Sequence, residues 1–151
     1  MMKRMILMFE NGLPRATAQQ RGEKIRRKAN GQAYIQHYRK PKVQALRTML
    51  GYQLKRYAPA KPSEAPIRLI VFVGFDVKDK KLWGKYKTTR PDGDNYIKEL
   101  KDVMTALSFW KDDAQVVDER IVRTYSEKGS ITIQLEELKD PVAIATEGEE
   151  P

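Results

Sequence analysis

Two aspartates one residue apart, Asp92 and Asp94, stand in the run Arg90-Pro-Asp-Gly-Asp-Asn-Tyr-Ile-Lys98, and Lys98 lies four residues beyond Asp94. A second acidic pair, Asp112-Asp113, follows Phe109-Trp110 and one lysine. Carboxylates that meet at one point hold a hard divalent cation such as Mg²⁺, which prefers oxygen to nitrogen or sulfur. Such an ion makes a water nucleophilic and neutralises the charge that develops on a phosphodiester under attack. A neighbouring ammonium, here Lys98, can stabilise that transition-state charge or hold the attacking water.

Plainer readings of the same residues stand beside this one. Asp92 and Asp94 could only cap a helix, whose N-terminus favours negative charge. Asp112-Asp113 could be a solvated turn, and Lys98 a surface lysine paired with Asp94 or Asp102. An EF-hand loop counted from Asp92 fails, because its required glycine is Ile97 and its required glutamate is Val103. The chain has no cysteine and a single histidine, His37. Thiolate chemistry is therefore absent, zinc is disfavoured, and neither a Ser-His-Asp nor a Cys-His arrangement gains support.

The formal net charge of +9 is unevenly spread. Residues 1–60 hold 14 Lys and Arg against 2 acidic residues, residues 61–110 hold 10 against 7, and residues 111–151 hold 5 against 11. A basic half joined to an acid-rich one suggests a polyanion partner, nucleic acid first, although a solubility surface would look the same. A basic protein with one concentrated acidic spot has a use for a metal there, since the ion lets a phosphate approach carboxylates that would otherwise repel it. Arg15, Arg21, Arg26, Arg27, Lys85, Lys87 and Arg90 are the candidates for phosphate contact, with Trp83, Tyr86 or Phe109 as possible stacking residues.

These side chains need elements to position them. At 151 residues the length fits one domain, read here as 1–139, followed by an acidic tail at 140–151 expected to be disordered. Residues 5–9 read as a short strand closed by Asn11-Gly12, and 12–30 as a mobile basic loop. A helix is expected over 42–57, where Val43, Leu46, Leu50 and Leu54 recur at helical spacing, with a separate helix before Pro41. Residues 67–75 form a dense β-branched and aromatic run, hence a buried strand. Gln115–Tyr125 and Ile131–Leu138 read as two strands joined into a hairpin at Lys128-Gly129. The clearest helix runs from Asp94 to about Leu107. One of its faces carries Tyr96, Ile97, Leu100, Val103, Met104 and Leu107, and the other an Asp94–Lys98–Asp102 ridge. The apolar opening Met5–Phe9 is too short for a signal peptide or a membrane span, so a soluble, cytoplasmic protein is expected.

The run from Arg90 to Lys98, Asp102, and Phe109-Trp-Lys-Asp-Asp-Ala-Gln-Val-Val117 together resemble the RusA family of Holliday-junction resolvases, over about residues 90 to 120. The resemblance implies an α+β fold, with a mixed β-sheet flanked by helices, working as a homodimer on branched DNA such as a four-way junction. It implies that Asp92, Asp94 and Asp113 hold the catalytic Mg²⁺, with Mn²⁺ able to substitute, and that Lys98 is the essential lysine. Asp113 rather than Asp112 matches the family's acid. The setting it implies is the cytoplasm of a bacterial or phage-infected cell. The opening Asn11–Arg21 and the lysine-rich 76–90 stretch depart from the family pattern. Two other functions stay in view: a non-catalytic DNA-binding protein, against which the lack of any helix-turn-helix or zinc-finger pattern counts, and a nuclease preferring forks or flaps.

Overall fold

The computed structural model describes residues 2–14, 21–39, 41–89 and 93–141, with backbone alone at 21, 22, 38, 39 and 93–95. Along the chain it runs β1 (Met2–Phe9), β2 (Arg21–Arg27), β3 (Ala33–Arg39), α1 (Pro41–Leu54), β4 (Ile67–Asp76), α2 (Gly93–Ala106), β5 (Val116–Ser126) and β6 (Gly129–Glu137). Four strands form one sheet in the order β1-β6-β4-β5, and β2 and β3 form a separate two-stranded ribbon. β6 is antiparallel to β1 and β4, while β5 is parallel to β4. The expected α+β class with a mixed sheet is what forms, with two α-helices beside it.

Alternation along the strands sets the layers, because successive strand side chains point to opposite faces. Met5, Leu7 and Phe9 of β1, the odd-numbered residues 67–75 of β4, and Ile131, Ile133 and Leu135 of β6 are buried. They join one core with Val43, Leu46, Leu50 and Leu54 of α1 and Tyr96, Ile97, Leu100, Val103 and Met104 of α2. Both helical faces are those the sequence spacing indicates. The outer edge of β1 is closed by α1, where the Gln53 side chain mimics a strand. Its Oε1 accepts from Met8 N at 3.0 Å and its Nε2 donates to Met8 O at 2.7 Å. Capping an edge in this way blunts unwanted strand pairing.

Three expectations need correction. Lys128-Gly129 does not close a hairpin, because β5 and β6 lie on opposite sides of β4. The link between them crosses the end of β4. A Cβ at Gly74 would lie 2.7 Å from Ser126 Oγ and 2.8 Å from Ser130 Oγ, so the serines that flank the link pack over a strand end that carries no side chain. The stretch before Pro41 is not a helix but β3, and the basic loop expected at 12–30 contains β2 from Arg21 to Arg27. The two strands pair through a turn at Asn30-Gly31, where Gly31 has φ 83° and Lys28 N donates to Gln32 O at 3.0 Å. Tyr34, Ile35, His37 and Tyr38 give β3 the β-branched and aromatic content of a strand, and Asn-Gly is a strong hairpin signal. Residues 15–20 and 142–151, which hold the rest of that loop and most of the expected tail, lie outside the described residues. Among the described residues no helix is long and apolar enough to cross a membrane.

Candidate active site

Helix α2 begins at Gly93 and ends beyond Met104 in a reversal that satisfies its last carbonyls. Phe109 N donates to Met104 O at 3.1 Å, and Ser108 takes the left-handed conformation with φ 62°. The reversal drives Phe109 and Trp110 into the core, where the Trp110 indole N–H donates to Thr105 Oγ1 at 2.8 Å. With that anchor made, the following Asp112 and Asp113 are held at the surface. Asp112 is consumed locally, since its carboxylate accepts from Ala114 N at 2.9 Å and caps the 3-10 turn of Asp113–Gln115. Gln115 locks the turn to the loop before β4, donating to Ser63 O at 2.9 Å and Ala65 O at 3.0 Å. Asp113 is left exposed on a rigid turn, with its carboxylate not spent on capping.

Asp113 lines an open cleft of about 490 Å³ with Asp112, Lys111, Arg47, Asp102, Thr105 and Ala106. Arg47 reaches into it from α1, with Nη1 3.0 Å from Glu99 and 3.4 Å from Asp102. The Glu99 side chain is wholly buried and that of Arg47 partly so, at 0% and 16% exposure. A buried carboxylate requires such a partner. Burial also pushes the Tyr96 phenol well above its ordinary pKa, and its hydroxyl has no hydrogen-bond partner among the described residues. At the rim Lys111 pairs with Glu64 and holds that carboxyl below the usual carboxylate range.

Of the residues the sequence singled out, Lys98 is exposed on α2 and Asp113 lies in the cleft beside Asp102. Asp94 is in the first turn of α2, with its side chain outside the described set, and Asp92 lies outside the described residues. Asp94 and the cleft are not at the same end of the helix. Eight residues separate Asp94 from Asp102, which is about 12 Å of helix rise. Among the described residues no three acidic or histidine side chains come close enough to hold a metal. The donors nevertheless have the right chemistry, carboxylate oxygens without sulfur or nitrogen competitors, for a hard cation. Arg47 and Glu99 were not foreseen. Glu99 sits about 40° from Val103 on the helical wheel, at the margin of the apolar face, which was the available signal.

The basic candidates divide. Arg26 and Arg27 are exposed on β2, every described side chain from Glu23 to His37 being exposed, and Lys85 is exposed too. Lys87 is buried at 6% exposure, its ammonium bonded to Thr89 Oγ1 and lying 5.1 Å from the Phe75 ring centroid and 5.4 Å from that of Tyr125. It holds the chain against the sheet, with its ammonium directed at these two rings. Arg15 and Arg90 lie outside the described residues, as does the side chain of Arg21. Trp83 donates its indole N–H to Val77 O at 2.9 Å, Phe109 is in the core, and Tyr86 is 74% exposed.

The fold and its surface define a small α+β protein with an exposed basic ribbon and a cleft lined by carboxylates. The sequence signature of endodeoxyribonuclease RusA matches residues 12–136, and the chain belongs to that family. Over 83 residues it is 39% identical to a crossover junction endodeoxyribonuclease rusA of Lactococcus phage r1t, a match covering 52% of this chain and 63% of the phage protein. Over 51 residues it is 43% identical to the uncharacterized protein YqaN of Bacillus subtilis (strain 168), covering 34% of this chain and 35% of that protein. Each match thus spans less than two thirds of the relative's length.

Proposed function

We propose that the chain is a divalent-metal-dependent endodeoxyribonuclease that resolves four-way DNA junctions as a homodimer. The family match over residues 12–136 carries this reading. The cleft supports it, because Asp112 is spent as a cap and Asp102 on Arg47, while Asp113 faces solvent. Asp92, Asp94 and Asp113 would hold Mg²⁺, or Mn²⁺ in its place. When bound, that ion supplies an activated water and offsets the charge of the leaving oxygen. Lys98, on the solvent face one turn beyond Asp94, would stabilise the charge that builds on the phosphate in the transition state. Arg26, Arg27 and Lys85, together with Arg15, Arg21 and Arg90, would bind phosphates, where positive side chains fix register without reading sequence.

A four-way junction is nearly two-fold symmetric and its resolution takes paired cuts, which a symmetric dimer delivers. A dimer also offers each Asp92–Asp94 segment a second Asp113, that of the partner, and so removes the need to bridge the length of α2 within one chain. The test is cleavage of a synthetic four-way junction, a fork, a flap and a linear duplex in Mg²⁺ and in EDTA. Junction cleavage that exceeds the others and vanishes in EDTA is expected. Faster cutting of forks or flaps would reassign the substrate, and binding without cutting in either Mg²⁺ or Mn²⁺ would make the protein a DNA-binding module.

A further inference from the structure

Beyond the sheet, residues 84–87 lie along the outer edge of β5 as a short added strand. Gly84 N donates to Tyr125 O, Tyr125 N to Lys85 O and Lys87 N to Arg123 O, each at 2.9 Å. Tyr86 bridges antiparallel to Thr124, so its ring projects on the face opposite to the buried Lys87. That ring is 74% exposed and lines a cleft of about 370 Å³ with Arg120, Val122 and Arg123. Arg123 also donates to Thr89 O at 3.0 Å, which pins the chain three residues before Asp92.

We infer that Tyr86, in a cleft it shares with Arg120 and Arg123, is a stacking platform for an unpaired base at the DNA branch point. The inference rests on the proposed action on branched DNA and names the place where the branch is received. An isolated exposed tyrosine would need no explanation. This one is held by backbone bonds on both sides, so its ring costs little to order. Arg120, exposed in the same cleft, supplies positive charge for the phosphate next to a stacked base. Sequence places it near the chemistry as well. Six residues link Tyr86 to Asp92, a reach of at most about 20 Å, or roughly six base steps. A base on Tyr86 and a phosphate at the acidic segment would belong to the same short stretch of DNA.

The experiment is equilibrium binding in EDTA, where no metal-dependent cut can occur, to a four-way junction carrying 2-aminopurine at the branch point and to a linear duplex of equal length. Tyr86→Ala should weaken junction binding roughly 5- to 150-fold with duplex binding unchanged, and should abolish the fluorescence change at the branch. Tyr86→Phe, which keeps the ring, should behave as wild type, as should Tyr52→Ala, which removes a tyrosine that is 85% exposed on α1. Equal weakening on junction and duplex, or a Tyr86→Ala protein that binds the junction as wild type does, would overturn the platform. A wild-type protein with no preference for the junction would overturn the branched-DNA reading and the platform with it.

Discussion

Arg47 contributes at both the core and the cleft. Its guanidinium joins a wholly buried Glu99 to the cleft residue Asp102, and so ties α1 to the solvent-facing ridge of α2. Removing one member of a buried pair leaves an uncompensated charge, whereas replacing both with apolar side chains of similar volume is often neutral. Arg47→Ala should therefore lower the unfolding free energy by about 3–5 kcal/mol, read by urea denaturation, and Arg47→Met combined with Glu99→Leu should recover most of it. A decrease below about 1 kcal/mol in the single variant would show that Glu99 folds without needing the charge. The candidate acids were legible in the sequence as types and spacing. The division of labour among them was not, because it depends on what lies nearby. Asp112 and Asp113 are adjacent and identical in kind, and only the turn geometry makes one a cap and leaves the other exposed.

At the scale of elements, the ribbon of β2 and β3 is the part least dependent on the core. Two strands alone are marginal in water, and all described side chains from Glu23 to His37 face solvent. Since Arg21 pairs with Arg39 at its base, replacing residues 22–38 with a two-residue glycine link should leave the body folded with nearly unchanged thermal stability. If the ribbon meets DNA, its four basic residues between 22 and 38 set the effect. The slope of log affinity against log salt should fall by about 0.9 for each phosphate no longer neutralised, and by at most about 3.6. An unchanged slope would assign DNA binding to other surfaces. The sequence revealed α1 and α2 because burial imposes a period on their apolar residues, and β4 because a dense β-branched and aromatic run marks a buried strand. It hid the ribbon because a strand exposed on both faces has no such period, and its charges read as loop. Strand order was hidden for a different reason. A two-residue link ordinarily closes a hairpin, whereas this one crosses β4, with Ser126 and Ser130 packed over Gly74.

At the scale of the molecule, the two ends of α2 raise the question that matters most for function. Asp94 opens the helix, and Asp113 sits in the cleft near its far half. In the proposed dimer each acidic segment would draw on the Asp113 of the other subunit. The most direct test is nicking of a four-way junction in Mg²⁺ by Asp94→Asn, by Asp113→Asn, and by the two proteins mixed after subunit exchange. Wild type should cut, and each variant alone should bind the junction without cutting. The mixture should regain nicking, because one of its two sites then has both aspartates. Cutting at the wild-type rate by either variant alone, with Mg²⁺ present, would contradict the assignment of these carboxylates to the reaction.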